Sequence, residues 1–186
     1  MGGAGLRRTA AWAVLGVAVA YWLLARLNGA ILSEATWARF TEGVDWIFLP
    51  SGLRLLAVLV FGIWGSLGIS LATWALTVQV NPADPWWMDG GTALISGFSP
   101  LLASQLGRFW LKLPSDLHGL TPWPLIQLAA LFALLSGSLH QVWYSWSGHT
   151  STPLSSAVVM VIGDFLGSLI LLFLINWGLR NLSRLR

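Results

Sequence analysis

Long apolar runs alternate with short polar segments along the chain. The first run covers about residues 10–27, and a polar stretch at 28–45 follows it. An α-helix needs about 20 mostly apolar residues to cross the hydrocarbon core of a bilayer. The pattern therefore predicts an all-α, polytopic transmembrane helix bundle, with residues 1–186 forming a single membrane domain. Later runs cover about 92–112, 124–143 and 156–178.

The apolar stretch at 46–80 is too long for one ordinary span. Pro50 and a glycine series at 62, 65 and 68 interrupt it. We predict two spans, about 51–64 and 66–80, joined by a tight turn that contains glycine. The first is shorter than a bilayer, so it should be sheltered by other spans or partly re-entrant. This division gives about six spans, one of them short or broken.

The remaining segments predict local features. The polar stretch at 28–45 has loosely spaced apolar residues and is expected to form a short surface helix. Loops are expected at 81–91, 114–124 and 145–153, and a break near Pro100 in the span at 92–112. The first apolar run reaches about Ala25 without a clear A-x-A site, so we expect a retained span rather than a cleaved signal peptide.

Composition agrees with a lipid environment. Hydrophobic residues make up 56% and charged residues only 9% of the chain, and the mean hydropathy is +0.72. A soluble domain carries about a quarter charged residues to cover its core. The absence of cysteine excludes disulfides and thiolate chemistry. The net charge of +3 does not indicate nucleic-acid binding, because the basic residues lie at span ends rather than in one patch.

The distribution of charge predicts an orientation. Six spans place both termini on one side of the membrane. That side receives most of the basic residues: Arg7, Arg8, Arg108, Lys112, Arg180, Arg184 and Arg186. The other side receives five acidic residues: Glu34, Glu42, Asp45, Asp84 and Asp89. The exceptions are Arg26 and Arg39 on this acidic side and Asp116 on the basic side. The positive-inside rule then predicts a multi-pass protein of the bacterial cytoplasmic membrane with cytoplasmic termini.

Tryptophan is unusually frequent, with 13 Trp against 2 Tyr. Amphipathic indole rings favour the headgroup level of both interfaces, so most of these residues are expected in aromatic belts. We assign the outer belt to Trp37, Trp46, Trp86, Trp87, Trp143 and Trp146, and the inner belt to Trp110, Trp123 and Trp177.

Two charged residues are expected deep inside spans, Arg54 and Asp164. Each costs a few kcal/mol or more in hydrocarbon unless it has a partner. In the six-span topology both fall at similar depth in the outer half of the membrane, so we predict a salt bridge within about 4 Å. This pair either fixes helix packing or lines a cavity that binds a polar ligand. Ser51 and Gly52 lie close to Arg54 in the sequence, and we also predict them as ligand-binding residues.

His140 lies near the outer end of the fifth span, one turn after Ser136. It is either a hydrogen-bonded packing residue or a ligand-binding residue. A small residue one turn below a histidine also resembles the pigment-binding helices of bacterial light-harvesting proteins. No two histidines have the spacing of metal ligands. Neither a G-x-S-x-G nucleophile context with a suitable His and Asp nor a GK[ST] phosphate loop occurs.

Two motifs resemble the MASE-type integral membrane sensor domains. The segment LPSGLRLLAVLVFGIWGSLGI (49–69) is similar to the Pro-(Ser/Ala)-Gly hallmark followed by an apolar run and a turn, carried here by Pro50, Ser51 and Gly52. The segment VIGDFLGSLILLFLINW (161–177) is similar to the closing Gly-Asp-x-x-Gly span. Together they cover about a fifth of the chain and occur in the family's order.

The resemblance implies a non-catalytic, sensor-like membrane module. Family domains usually have more spans and precede a cytoplasmic output such as a diguanylate cyclase or histidine kinase. These 186 residues contain no such output, so we expect the module to act through another membrane protein or a separate output protein. Two alternatives stay open: an accessory subunit of a respiratory or photosynthetic complex, and a small substrate-binding transport component. The sequence does not identify a cofactor.

Overall fold

A computed structural model describes residues 3–32, 39–41, 44–111 and 122–183. Six α-helices occur in these residues and form an all-α bundle, as the hydropathy pattern predicts. The helices are α1 (Gly3–Leu32), α2 (Pro50–Phe61), α3 (Ile63–Val80), α4 (Trp86–Trp110), α5 (Pro122–Trp146) and α6 (Pro153–Ser183).

Neighbouring helices alternate in direction. Gly68 of α3 packs against Val14 and Val17 of α1, and Arg26 donates a hydrogen bond to Gln79 further along both helices. Helices α1 and α3 are therefore parallel, and α2 runs between them in the opposite direction. We call the end where α1, α3 and α5 finish the open end of the bundle. The split of the 46–80 stretch into two helices is confirmed.

Helix α2 occupies the centre of the bundle. It has 12 residues, so it is about 18 Å long, against about 30 Å for the hydrocarbon core. It contacts each of the other five helices, α6 most closely. Gly62 ends it with φ +57°, and Gly65 lets α3 pack directly on the Ala57 backbone. The surrounding helices shelter this half-length helix, as a short span requires.

Two apolar clusters hold the helices together. One joins α1, α2 and α3 around Val17, Val58 and Ile69. The other joins α2, α4 and α5 around Leu55 and Phe132. Burying a large side chain in such a cluster stabilises a packed arrangement through close dispersion contacts, which matter most where lipid removes the hydrophobic driving force.

In the described part of the chain, four helices are long and apolar enough to cross a membrane: Arg8–Ile31, Ile63–Val80, Pro122–Trp146 and Pro153–Gly178. Helix α2 is apolar but shorter. Helix α4 is long, yet it buries serines and Asp89 among small residues. Large apolar side chains such as Leu15, Leu94 and Phe173 are exposed on the outer surface. This surface is typical of a bundle that faces lipid, and the chain is a multi-pass membrane protein.

The polar stretch at 28–45 differs from the sequence prediction. Helix α1 continues to Leu32, and Arg39–Thr41 pairs with Val44–Asp45 in a two-stranded antiparallel ladder. The expected surface helix is therefore wrong for these strand residues, because their backbone groups pair between two antiparallel strands. Residues 33–38 and 42–43, with Trp37 among them, lie outside the described residues.

Helix α4 also differs from the prediction. It begins at Trp86, immediately after Pro85 at its N-cap, so the expected loop at 81–91 is non-helical only over 81–85. The helix continues through Pro100 without the expected break. A proline removes one helical hydrogen bond but does not stop a helix whose neighbours satisfy the freed carbonyl. Residues 112–121, which include most of the expected next loop, lie outside the described residues.

Several tryptophans lie near helix ends at both faces of the bundle, whereas Trp22 and Trp74 lie inside α1 and α3. At the open end, Trp87, Trp143 and Trp146 form edge and tilted ring contacts with centroid distances of 5.3–6.1 Å. At the opposite end, Trp110 and Trp123 are largely exposed. Both positions suit the interfacial belts that the sequence predicts.

Candidate ligand-binding site

A cavity of about 650 Å³ opens between the helices at the open end of the bundle. Its walls come from the last turns of α1, α3 and α5 and the first turns of α4 and α6, and the connections at 81–84 and 148–152 form its mouth. Cavities that hold small ligands are typically about 300–1,000 Å³. The helix termini therefore enclose a space of suitable size.

Arg54 forms the floor of this cavity and is 1% exposed. It lies in the second turn of α2, where the surrounding helices exclude lipid. Its Nε donates to the Ser96 carbonyl at 3.3 Å, and both terminal nitrogens lie 3.4 Å from Ser136 Oγ. The guanidinium also faces the ring of Phe132 at 5.5 Å. Residues of α4 and α5 thus bind the buried guanidinium of α2.

Asp164 is the ionic partner of Arg54. Its Oδ2 lies 3.6 Å from Arg54 Nη1, and both side chains are almost completely buried. The predicted pair is therefore confirmed. The distance permits an ion pair but not a hydrogen bond, and Oδ2 has no hydrogen-bond partner. The pair is charge-balanced, while one carboxylate oxygen in the cavity lining keeps its capacity to accept a hydrogen bond.

Pro100 explains why the Ser96 carbonyl is available to Arg54. In an α-helix that carbonyl would accept the N–H of the residue four positions later, and proline has no N–H. Arg54 Nε supplies the missing donor from α2. The proline that the sequence marks as a helix break thus creates an acceptor for the buried arginine.

His140 belongs to the same network. Its Nδ1 lies 2.8 Å from the Ser136 carbonyl, which can only accept, so Nδ1 carries a proton. In the neutral imidazole Nε2 then accepts from Ser96 Oγ at 3.0 Å. Both ring nitrogens are engaged with protein atoms, and neither is free to coordinate the metal of a tetrapyrrole. This geometry supports the packing interpretation of His140, although the ring also lines the cavity.

Ser51 and Gly52 lie beneath the cavity rather than in its lining. Ser51 Oγ donates to the Asp164 carbonyl at 2.8 Å and receives a bond from Ser168 Oγ at 3.2 Å. Gly52 packs against Leu171 of α6. These two candidate residues therefore fix α2 against α6 and set the position of Arg54, and they do not reach the cavity.

The segment leading into α2, residues 45–49, crosses α6 at two glycines. Gly163 faces the Asp45 carbonyl and Gly167 faces the Phe48 carbonyl, each too closely for a β-carbon. Phe48 N–H donates to the Gly163 carbonyl at 3.1 Å, and Asn28 accepts from Leu49 N–H at 3.0 Å. The glycines on both sides of Asp164 thus bring α2 and its arginine next to that aspartate.

Asp89 and Gln141 line the cavity, and the sequence did not single them out as site residues. Each is 4% exposed. Asp89 makes no hydrogen bond or ion pair in the described part of the chain, and Gln141 Oε1 has no hydrogen-bond partner. The sequence contains a relevant pattern, since Asp89, Thr92 and Ser96 have the spacing of one helix face. This pattern includes Asp89 only if the helix begins at Trp86, whereas the sequence predicts a loop as far as residue 91.

The mouth of the cavity carries Asp84 and His149, whose Oδ2 and Nε2 atoms lie 3.5 Å apart. Both side chains are partly exposed. Among the described residues no group of three or more His, Cys, Asp or Glu residues is arranged to hold a metal ion. The cavity lining instead combines charged side chains with hydroxyl, amide and imidazole groups.

Comparisons with protein-family models, with curated proteins and with solved structures found no match for this chain.

Proposed function

We propose that the chain is a non-catalytic, sensor-like ligand-binding module of the bacterial cytoplasmic membrane. Its cavity binds a small polar molecule between the helix ends, and the bound state is transmitted to another membrane protein or a separate output protein. Signal transduction is thus the role that we assign to the module.

The observation that carries this proposal is the position of Arg54 and Asp164. Both are buried inside the helix bundle, and both line a cavity of about 650 Å³. A buried ion pair that serves only packing needs no open space beside it. Ionisable residues that face a cavity within a membrane bundle commonly mark a binding site or a pathway.

The distribution of basic residues supports an extracytoplasmic cavity. Arg8 and Arg108 lie at the end of the bundle opposite the cavity, while Asp84 and Asp89 lie at the open end. The positive-inside rule places the basic end in the cytoplasm. A ligand would then enter from outside the cell or from the outer leaflet.

Helix α2 provides a route for the signal. It holds Arg54 at the cavity floor and contacts each of the other five helices. A ligand that draws Arg54 or Asp164 toward itself changes the contact between α2 and α6, and the two helices can then respond together. The resemblance of the α2 and α6 motifs to MASE-type sensor domains supports the same role.

A substrate-binding transport component is the second candidate, because the cavity that opens at one end of the bundle also suits a transported molecule. An accessory subunit of a larger complex is favoured less, since the cavity lies inside the bundle rather than on its lipid-facing surface. Co-purification with a stoichiometric partner that absorbs as pigment or haem would support that alternative.

Native mass spectrometry of the protein purified in mild detergent tests the proposal. We expect a small molecule bound to the wild-type chain and lost from the double variant Arg54→Met, Asp164→Leu. A matched control is Ser104→Ala, since Ser104 is buried on α4 but does not line the cavity. A wild-type chain that carries only lipid, or a partner in place of any small molecule, would contradict the proposal.

A further inference from the structure

We infer that the ligand of this cavity is a small protonated amine whose ammonium group donates N–H hydrogen bonds to Asp89. This inference rests on the proposed function, since it names the chemical class that the cavity binds. Two observations support it: the charge of the cavity lining, and the presence in the lining of hydrogen-bond acceptors that have no donor.

The described residues of the lining carry more acidic than basic side chains. Arg54 is the single Lys or Arg among them, whereas Asp84, Asp89 and Asp164 all line the same space. Arg54 balances Asp164, and His149 faces Asp84 at the mouth. Asp89 has no balancing cation in the described part of the chain, and it is 4% exposed. A buried carboxylate of this kind favours a cationic partner.

The unsatisfied carboxylate and amide atoms of the lining are acceptors. Asp164 Oδ2 and Gln141 Oε1 are buried without a hydrogen-bond partner, as is Thr73 Oγ1, a hydroxyl that can accept or donate. The carboxylate of Asp89 makes no hydrogen bond. An ionised carboxylate can only accept. A buried polar atom without a partner is unfavourable, so a ligand that supplies a donor at such an atom binds more tightly.

These features favour an amine over a metal ion or a quaternary ammonium. A metal ion needs several ligands converging on one point, and no such group exists among the described residues. A quaternary ammonium carries charge but no N–H, so it would leave the acceptor oxygens unsatisfied. A primary ammonium has three donors. Tyr21, Phe48 and Tyr144 also line the cavity, and aromatic faces attract an organic cation.

Four butyl compounds of similar size test the inference on the wild-type chain: butylammonium, butyltrimethylammonium, butanol and butyrate. Binding is measured by calorimetry and by the shift in unfolding temperature in detergent. We expect butylammonium to bind at least about tenfold more tightly than the trimethyl compound, which corresponds to one lost hydrogen bond to a charged group. Butanol and butyrate should bind more weakly still.

Two variants locate the site. Asp89→Asn removes the uncompensated charge with almost no change of shape and should weaken butylammonium binding about tenfold or more. Asp84→Asn removes the same charge at the more exposed mouth, so its effect should be below about threefold. Unfolding temperatures without ligand show whether each variant is folded.

Equal binding of butyrate or butanol overturns the inference, and so does an Asp89→Asn chain that binds butylammonium as tightly as the wild type. Failure of all four compounds to bind overturns it as well. A different outcome tests the proposed function. A neutral or anionic molecule seen by native mass spectrometry, and lost from the Arg54 and Asp164 double variant, would leave the ligand-binding role intact while excluding an amine.

Discussion

Arg54 and Pro100 meet at one carbonyl oxygen, that of Ser96. The proline leaves this oxygen without its helical donor, and Arg54 Nε donates to it from the central helix at 3.3 Å. Ser96 Oγ in turn contacts His140 Nε2 at 3.0 Å. The cavity floor is thus a hydrogen-bonded network of α2, α4 and α5. In this network, the carbonyl that Pro100 leaves free in α4 accepts a hydrogen bond from the charged Arg54 of α2.

The Arg54–Asp164 pair gives the first prediction. Arg54→Met or Asp164→Leu alone should destabilise the folded protein by about 3–5 kcal/mol, because each leaves an uncompensated buried charge. The double replacement should recover most of that loss, because two apolar side chains need no partner. The free energy of unfolding in mixed micelles measures all three. If the double variant lost as much unfolding free energy as the two single variants together, the two charges would not be coupled.

Gly167 gives a second prediction, about close packing. A β-carbon at this position would meet the Phe48 carbonyl and lie 2.9 Å from Leu49 N. Gly167→Ala should therefore separate residues 45–49 from α6 and destabilise the fold by about 1–3 kcal/mol. Gly178→Ala, in the same helix, is the control, since no atom lies within 4 Å of its β-carbon. The control should be neutral or gain up to about 1 kcal/mol in helix propensity.

A third prediction concerns the turn between α2 and α3. Gly62 has φ +57° and ψ −127°, a conformation that residues with a side chain rarely adopt. Gly62→Ala should cost about 1–3 kcal/mol although no atom lies near its β-carbon. Gly16→Ala within α1 also meets open space and should not destabilise. Comparable unfolding free energies for the two variants would contradict the turn geometry.

Membrane orientation gives a fourth prediction. Reporters fused after Asp84 and after Gly148, in the two connections at the open end, should both be extracytoplasmic. A reporter after Pro114, between α4 and α5, should be cytoplasmic. Alkaline phosphatase and green fluorescent protein fusions report the two sides. Cytoplasmic signals at both Asp84 and Gly148 would mean that the orientation is inverted, and the cavity would then face the cytoplasm.

The ion pair shows how far the sequence predicts the site. Two opposite charges at similar depth need each other in hydrocarbon, so Arg54 and Asp164 could be paired from position alone. The sequence does not identify Asp89 in the same way, because the pattern predicts a loop at 81–91, where water would solvate the carboxylate. The extended start of α4 turns the same residue into a buried carboxylate of the cavity wall.

The sequence by itself determined the class of the protein, the division of residues 46–80 and the Arg54–Asp164 pair. These follow from transfer free energies, which depend on the composition of each segment and hardly on its neighbours. Only the tertiary structure decided that α2 lies at the centre, that Ser51 and Gly52 face α6, and that Asp89 and Gln141 face a cavity. A side chain's direction changes by about 100° with each helical residue, so these facts depend on where each helix begins and on which helices pack around it.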